Sequence, residues 1–348
     1  MQAKEAPTAI AWLNPAQIDL VTQVGAAAGL QFVAAGSPAR GQSSAVAAAL
    51  GVEVVDDLRS VLAEQAASLM LIAAPGDFGV EHSEGDTSAI LAAKARGTRV
   101  ATLEPIPARA LDLSAAAWIS DGTTVGACEG LRHVPLLRHS RPLREAADVM
   151  GHFGVIRSVA IELWGRPEHC SLGAHLFSAL DLVLSLIGEP EVIDAAFVSP
   201  AYARGVHALP GETLRELTGD LNATLRFADG RAATIVASDH AGRWNRGVTL
   251  VGDAGRLRLY DDGFEWIDAK GEKADETRFR KASRGAAIAD HGVLALADAI
   301  KRLLDPAIPD VGPADVGRVL PMAQAALLSA RTAQPESPTT IRRMIGAA

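Results

Sequence analysis

The chain has 348 residues, 49% hydrophobic and 21% charged, with a formal net charge of −8 at pH 7. That length predicts two domains with sizeable cores, and the composition is that of an ordinary globular protein. The acidic balance, concentrated in residues 1–122, excludes a general nucleic-acid binder and is a mildly poor setting for a dinucleotide. Cys128 and Cys170 are the two cysteines, and without C-x-x-C spacing they support neither a disulfide framework nor a structural zinc site. The sequence holds no apolar run of about 18 residues that would span a membrane. Its first residues lack the basic-then-apolar pattern of a secretory signal, so the expected location is cytoplasmic.

In chain order, Thr8–Leu13 is a short apolar run read as a first strand. The turn after it, Leu13-Asn14-Pro15-Ala16-Gln17-Ile18, contains no glycine. Asn14 suits an N-cap and Pro15 the first helical position, so a helix is predicted over 15–28, ended by Gly29. Strands follow at Leu30–Ala35, Val52–Val55, Leu69–Ala74 and Arg99–Leu103, alternating with helices at Ser43–Leu50, Asp57–Gln65 and Ser88–Ala95. This alternation predicts a parallel sheet with helices on both faces. After Pro105 the rhythm changes: Arg144–Met150 reads as helix, Val155–Leu163 as strand and Ala174–Ile187 as an apolar helix stopped by Gly188-Glu189-Pro190. Runs at Leu221–Phe227, Arg231–Ala237, Val248–Val251, Arg256–Tyr260 and Phe264–Ile267 read as antiparallel strands, with hairpin signals at Asp229-Gly230 and Asp262-Gly263. His291–Leu304 and Asp315–Ala330 read as closing helices. The fold class is α/β: a Rossmann-like domain over 1–122, then an α+β domain over 123–348 with an open, mainly antiparallel sheet.

Ordered landmarks run through nearly the whole chain: Asp56-Asp57-Leu58, Ala73-Ala74-Pro75, Leu103-Glu104-Pro105-Ile106-Pro107-Ala108, Arg138-His139-Ser140-Arg141-Pro142-Leu143, Gly154-Val155-Ile156-Arg157, the helix around Asp181, Gly188-Glu189-Pro190 and Asp229-Gly230. In that order they resemble the Gfo/Idh/MocA family, the glucose–fructose oxidoreductase and inositol dehydrogenase group of NAD(P)-dependent sugar oxidoreductases. The resemblance implies a sugar-like ligand and NAD or NADP as cofactor. It also implies a homo-dimer or tetramer, built on the open face of the second-domain sheet.

The residues at the family's functional positions depart from its pattern. A dinucleotide turn needs glycines so that the backbone can approach a pyrophosphate, and here Asn14 and Pro15 stand instead. Aligned on its proline, the family's Glu-Lys-Pro triplet puts Glu104 where the lysine would contact cofactor and substrate. Anchored on Asp181, its Asp-x-x-x-His signature puts Ser178 at the histidine and Ala174 at the aspartate. An unactivated serine cannot shuttle a proton at neutral pH. A second register uses His175, either as an acid/base in the same cleft or as a packed core residue. The second strand ends at Gly36-Ser37 without the acid that binds a ribose hydroxyl; Ser37 and Arg40 suit a 2′-phosphate instead, or Arg40 is a solvated residue at a helix start. With Asn14 and Pro75 they complete the candidate cofactor positions.

Trp164 and His169 follow one strand of the second domain, and His240 and Arg243 another. Such residues suit a sugar-like ligand, or a subunit interface, where Trp and Arg are equally enriched. The basic run Arg132, His133, Arg138, His139, Arg141 and Arg144 is open to an anionic ligand or a partner's acidic face, and otherwise is a solvated surface. His169, Cys170 and His175 lack the spacing of a zinc site, so no metal is expected. Three functional readings stand: a divergent protein with lost or weakened hydride transfer that binds a ligand or partners an active relative; an active oxidoreductase, or a cofactor-independent lyase or epimerase, using Glu104, His175 or His240; and an assembly protein.

Overall fold

The computed structural model describes residues 6–80, 83–120, 125–200, 209–279, 290–309 and 312–346. The chain divides into two compact units, Met1–Val134 with Leu296–Gly317, and Pro135–Ala295 with Arg318–Gly346. The boundary expected at 122/123 lies outside the described residues.

The first unit contains strands β1 (Thr8–Trp12), β2 (Gln31–Gly36), β3 (Glu53–Val54), β4 (Leu69–Ile72), β5 (Arg99–Thr102) and β6 (Leu131–His133). They form one parallel sheet in the order β3-β2-β1-β4-β5-β6. Its helices are α1 (Ile18–Ala28), α2 (Ser43–Leu50), α3 (Leu58–Glu64) and α4 (Ser83–Ala95), with α1 packed against α2 and α3 against α4. The central strand β4 is wholly apolar and each of its residues is at most 1% exposed, as a sheet covered on both faces requires. The strand order reverses beside β1, next to β4, and in such sheets ligands bind at that point, outside the carboxyl ends of the strands.

The second unit opens with helices α5 (Arg141–Glu145) and α6 (Ala147–His152), where one helix over Arg144–Met150 was expected. Then come β7 (Ile156–Trp164), α7 (Leu172–Ile187), β8 (Val192–Val198), β9 (Asp220–Arg226), β10 (Ala232–Ser238), β11 (Asn245–Gly252), β12 (Gly255–Tyr260), β13 (Gly263–Ile267) and β14 (Lys273–Arg278). The eight strands run β14-β13-β12-β11-β7-β10-β9-β8, antiparallel except for the β7–β10 pair. One face, carrying Val159, Ile161, Ile235, Leu221 and Leu250, is buried, and α7 packs on β7 and β10. Helices α8 (His291–Leu304), α9 (Val316–Thr332) and α10 (Pro338–Met344) complete the chain.

The predicted helix 15–28 begins as a 3-10 turn, Pro15–Gln17, before α1. Gly29 and Gly51 end α1 and α2 with φ of 74° and 68°, the left-handed conformation glycine permits. Among the described residues no helix is long and apolar enough to cross a membrane.

Candidate functional site

In the first unit a cleft of about 340 Å³ opens at the carboxyl edge of the sheet. Trp12 at the end of β1, Ser37 and Arg40 after β2, Asp57 before α3, and Pro75 and Phe78 after β4 line it. Ser37, Arg40 and Pro75 therefore share one cleft, whereas Asn14 is not among its lining residues. Gly36 makes the wall possible: a Cβ there would lie 2.1 Å from the Val55 carbonyl oxygen and 2.5 Å from Trp12 Cζ3. Ser37 is 6% exposed and closes a local turn, its Oγ accepting the Ala39 N–H at 3.2 Å.

The turn between β1 and α1 has its backbone donors committed. The Leu13 N–H goes to the Gly36 carbonyl at 3.0 Å, Asn14 N–H to Gln17 Oε1 at 3.1 Å, and Gln17 N–H to the Asn14 carbonyl at 2.9 Å. Ile18 N–H goes to the Pro15 carbonyl, and Pro15 has none to give. At most the N–H of Ala16 is left for a ligand. Gln17, 5% exposed, also donates through Nε2 to the Ala73 carbonyl at 3.2 Å, which ties the turn to the end of β4. A pyrophosphate is held by several converging backbone donors at a helix N-terminus. These residues do not fit that group.

Beyond β5, Glu104 is 8% exposed, so it is not a surface carboxylate. Thr102 Oγ1 braces its backbone, donating to the Glu104 carbonyl at 2.6 Å and accepting its N–H at 3.2 Å.

In the second unit, α7 places three candidate residues on buried structure. Ser178 Oγ accepts the Leu137 N–H at 2.9 Å, and Asp181 Oδ2 lies 2.9 Å from Arg138 Nε. His175 is 3% exposed, its Nε2 3.7 Å from Cys170 Sγ and its ring 5.4 Å from that of Trp244. Gly165 leaves room for it, since a Cβ there would stand 2.5 Å from His175 Nε2. His169 packs edge-on against Trp244, with Nε2 3.6 Å from Asp290 Oδ1. Burial holds its imidazole below the ordinary value, against the pull of Asp290. His240, by contrast, is exposed and meets Thr218 Oγ1 at 2.8 Å. Arg243 is exposed, and Trp164 ends β7 opposite Asn245.

The basic run is dispersed into local contacts. Arg138 meets Asp181, Arg141 lies over the Phe279 ring at 4.0 Å, and Arg132 donates to the Glu129 and Leu131 carbonyls. No group of three or more His, Cys, Asp or Glu among the described residues could hold a metal ion. Sequence reasoning missed Trp12 and Arg59, which also line the cleft, and Gln17 in the turn. Gln17 had a signal, because a Gln three residues after an Asn is the spacing of a capping box.

No protein-family model and no curated protein matches the sequence. Solved structures do match over nearly the whole chain. An oxidoreductase from Sinorhizobium meliloti is 16% identical with a TM-score of 0.65, covering 95% of this chain and 99% of its own. A myo-inositol dehydrogenase from Corynebacterium glutamicum is 15% identical with a TM-score of 0.62, covering 96% and 99%. The chain has the Gfo/Idh/MocA fold. The WlbA dehydrogenase from Bordetella pertussis, solved with NADH and UDP-GlcNAcA, shares this fold at 18% identity and a TM-score of 0.58, covering 96% and 99%.

Proposed function

We propose that this protein is a divergent Gfo/Idh/MocA-fold protein that holds a sugar-like ligand in the cytoplasm without orthodox NAD(P)-dependent hydride transfer. It acts as a non-catalytic subunit, self-assembled as a dimer or tetramer or joined to an active relative. The observation that carries this reading is the β1–α1 turn, whose N–H groups are spent on the turn and on β2. The chemistry of α7 supports it: Ser178 stands at the family's histidine position with its hydroxyl accepting a backbone N–H, and Asp181 is paired with Arg138. Glu104, a carboxylate in the family's lysine position, supplies neither a cation nor a permanent donor. The sugar-like ligand is supported by the similar structures, a myo-inositol dehydrogenase and a UDP-GlcNAcA complex among them. Assembly is supported by the outward face of the eight-stranded sheet, where Thr234, Ala160 and Thr249 form an uncharged cross-strand row beside Val236.

The test is calorimetric titration of NAD, NADH, NADP and NADPH into nucleotide-free protein. The expected result is no saturable binding tighter than about 100 μM, or about −5.5 kcal/mol. Tighter binding of any of the four overturns the reading.

A further inference from the structure

In a nucleotide-binding sheet the crevice runs over the end of the first strand, between the loops that follow its two neighbours. Here those loops meet. Gly76, after β4, has φ of 64°, and a Cβ on it would stand 2.4 Å from Pro38 Cβ, after β2. Trp12, 5% exposed, packs into the space that Gly36 leaves. None of residues 13–17 lines the cleft of about 340 Å³, although Trp12, Pro38 and Pro75 do. The turn between β1 and α1 thus stands apart from that cleft.

Gln17 fills the turn itself. Its buried carboxamide is engaged at both ends: Oε1 accepts the Asn14 N–H at 3.1 Å, and Nε2 donates to the Ala73 carbonyl at 3.2 Å. The Ala73 N–H goes to the Trp12 carbonyl at 2.8 Å, so both backbone groups of Ala73 tie the end of β4 to the β1–α1 segment. A carboxamide oxygen on a turn N–H does what a phosphate oxygen does there, without the charge. Being part of the chain, it loses no translational freedom on binding, whereas a free anion does. An anion arriving at this turn has to break the bond between Asn14 and Gln17 first.

We infer that Gln17 is a built-in occupant of the β1–α1 turn, an autoinhibitory side chain that holds the turn against the oxyanions of a phosphate ester. The inference rests on the reading that the parent protein binds no dinucleotide, and it names the residue that decides this. The contact between Pro38 and Gly76 is made by ring and backbone atoms. Gln17 instead holds a turn donor through its side chain, which substitution removes while the backbone bonds of the turn remain.

The experiment compares the intact protein with Gln17→Ala and Gln17→Glu, by amide hydrogen exchange and by calorimetric titration of inorganic pyrophosphate. In Gln17→Ala the Asn14 N–H is expected to exchange about tenfold faster, the worth of one hydrogen bond. The Leu13 N–H, held by the Gly36 carbonyl, keeps its rate. The same variant is expected to bind pyrophosphate about tenfold more tightly than the parent, because a backbone donor to a charged oxygen has been freed. Gln17→Glu keeps an acceptor for Asn14 and adds a negative charge, so it is expected to leave pyrophosphate unbound. Should Gln17→Ala misfold, Gln17→Ser decides on the same two readouts. A purely structural role for Gln17 would move stability and not pyrophosphate affinity. An unchanged Asn14 rate, an isotherm no tighter than the parent's, or equal binding in Gln17→Glu overturns the inference. If the parent binds no dinucleotide and Gln17→Ala no pyrophosphate, the reading of lost hydride transfer stands alone, whereas a tight dinucleotide isotherm for the parent removes both.

Discussion

Ser178 has its hydroxyl turned to structure, accepting the N–H of the buried Leu137 at 2.9 Å. Ser178→Ala removes the acceptor and leaves that N–H unpaired, at a cost of about 1–3 kcal/mol, read as a lower urea midpoint with an unchanged slope. His169 gives the protein a pH dependence of definite sign. Its folded-state value lies below the ordinary 6.5 through burial, so the unfolded chain takes up the proton first as pH falls. Stability is therefore full above about pH 6.5 and declines as pH drops toward the folded-state value. Urea titrations between pH 7 and 5 check this, and His169→Gln is expected to flatten that part of the profile. Neither role was legible in the sequence. A serine in an apolar helix and a histidine in a loop carry no mark of their partners, Leu137 and Asp290, which lie 41 and 121 positions away along the chain.

At the scale of elements, the strongest sequence signals became the most buried structure. Helix α7 was read as starting at Ala174, but its N-cap is Ser171, whose Oγ accepts the Ala174 N–H at 3.1 Å. Ser171→Ala is expected to destabilise the protein by about 1 kcal/mol, measured by urea unfolding at neutral pH. Three strands, β6, β8 and β14, went unread in the sequence. β14 is Lys-Ala-Asp-Glu-Thr-Arg, an edge strand whose charges discourage further pairing and carry no apolar alternation. β6 has only three residues, too few for any period. The Asp229-Gly230 signal was legible because its glycine, with φ of 85°, occupies a conformation that few other residues adopt.

For the whole molecule, the outward face of the eight-stranded sheet sets the expected assembly. Sedimentation analysis is expected to give a dimer or tetramer. A second carboxylate placed beside that uncharged row, Val236→Glu opposite Glu162, is expected to shift the protein toward monomer without changing its circular dichroism, because Val236 points away from the buried face. A monomeric parent protein would remove self-assembly from the functional reading. The fold matches dehydrogenase and other oxidoreductase structures over at least 95% of the chain, yet fold alone leaves activity open, and the functional argument rests on particular side chains.

The sequence by itself determined the order of elements, the alternation that makes a parallel sheet, the hairpins of the second sheet and the absence of glycine from the first turn. These are local properties: periodicity, turn chemistry and the conformational limits of single residues. Only the tertiary structure decided what fills that turn. It showed Gln17 reaching from Asn14 to Ala73, Trp12 packed into the space left by Gly36, Arg59 set against Asp86, and Ser178 spent on Leu137. Each of these facts depends on segments distant in sequence coming within hydrogen-bonding or packing range. A linear pattern encodes which residues are available, and the packing of strands and helices encodes which of them meet.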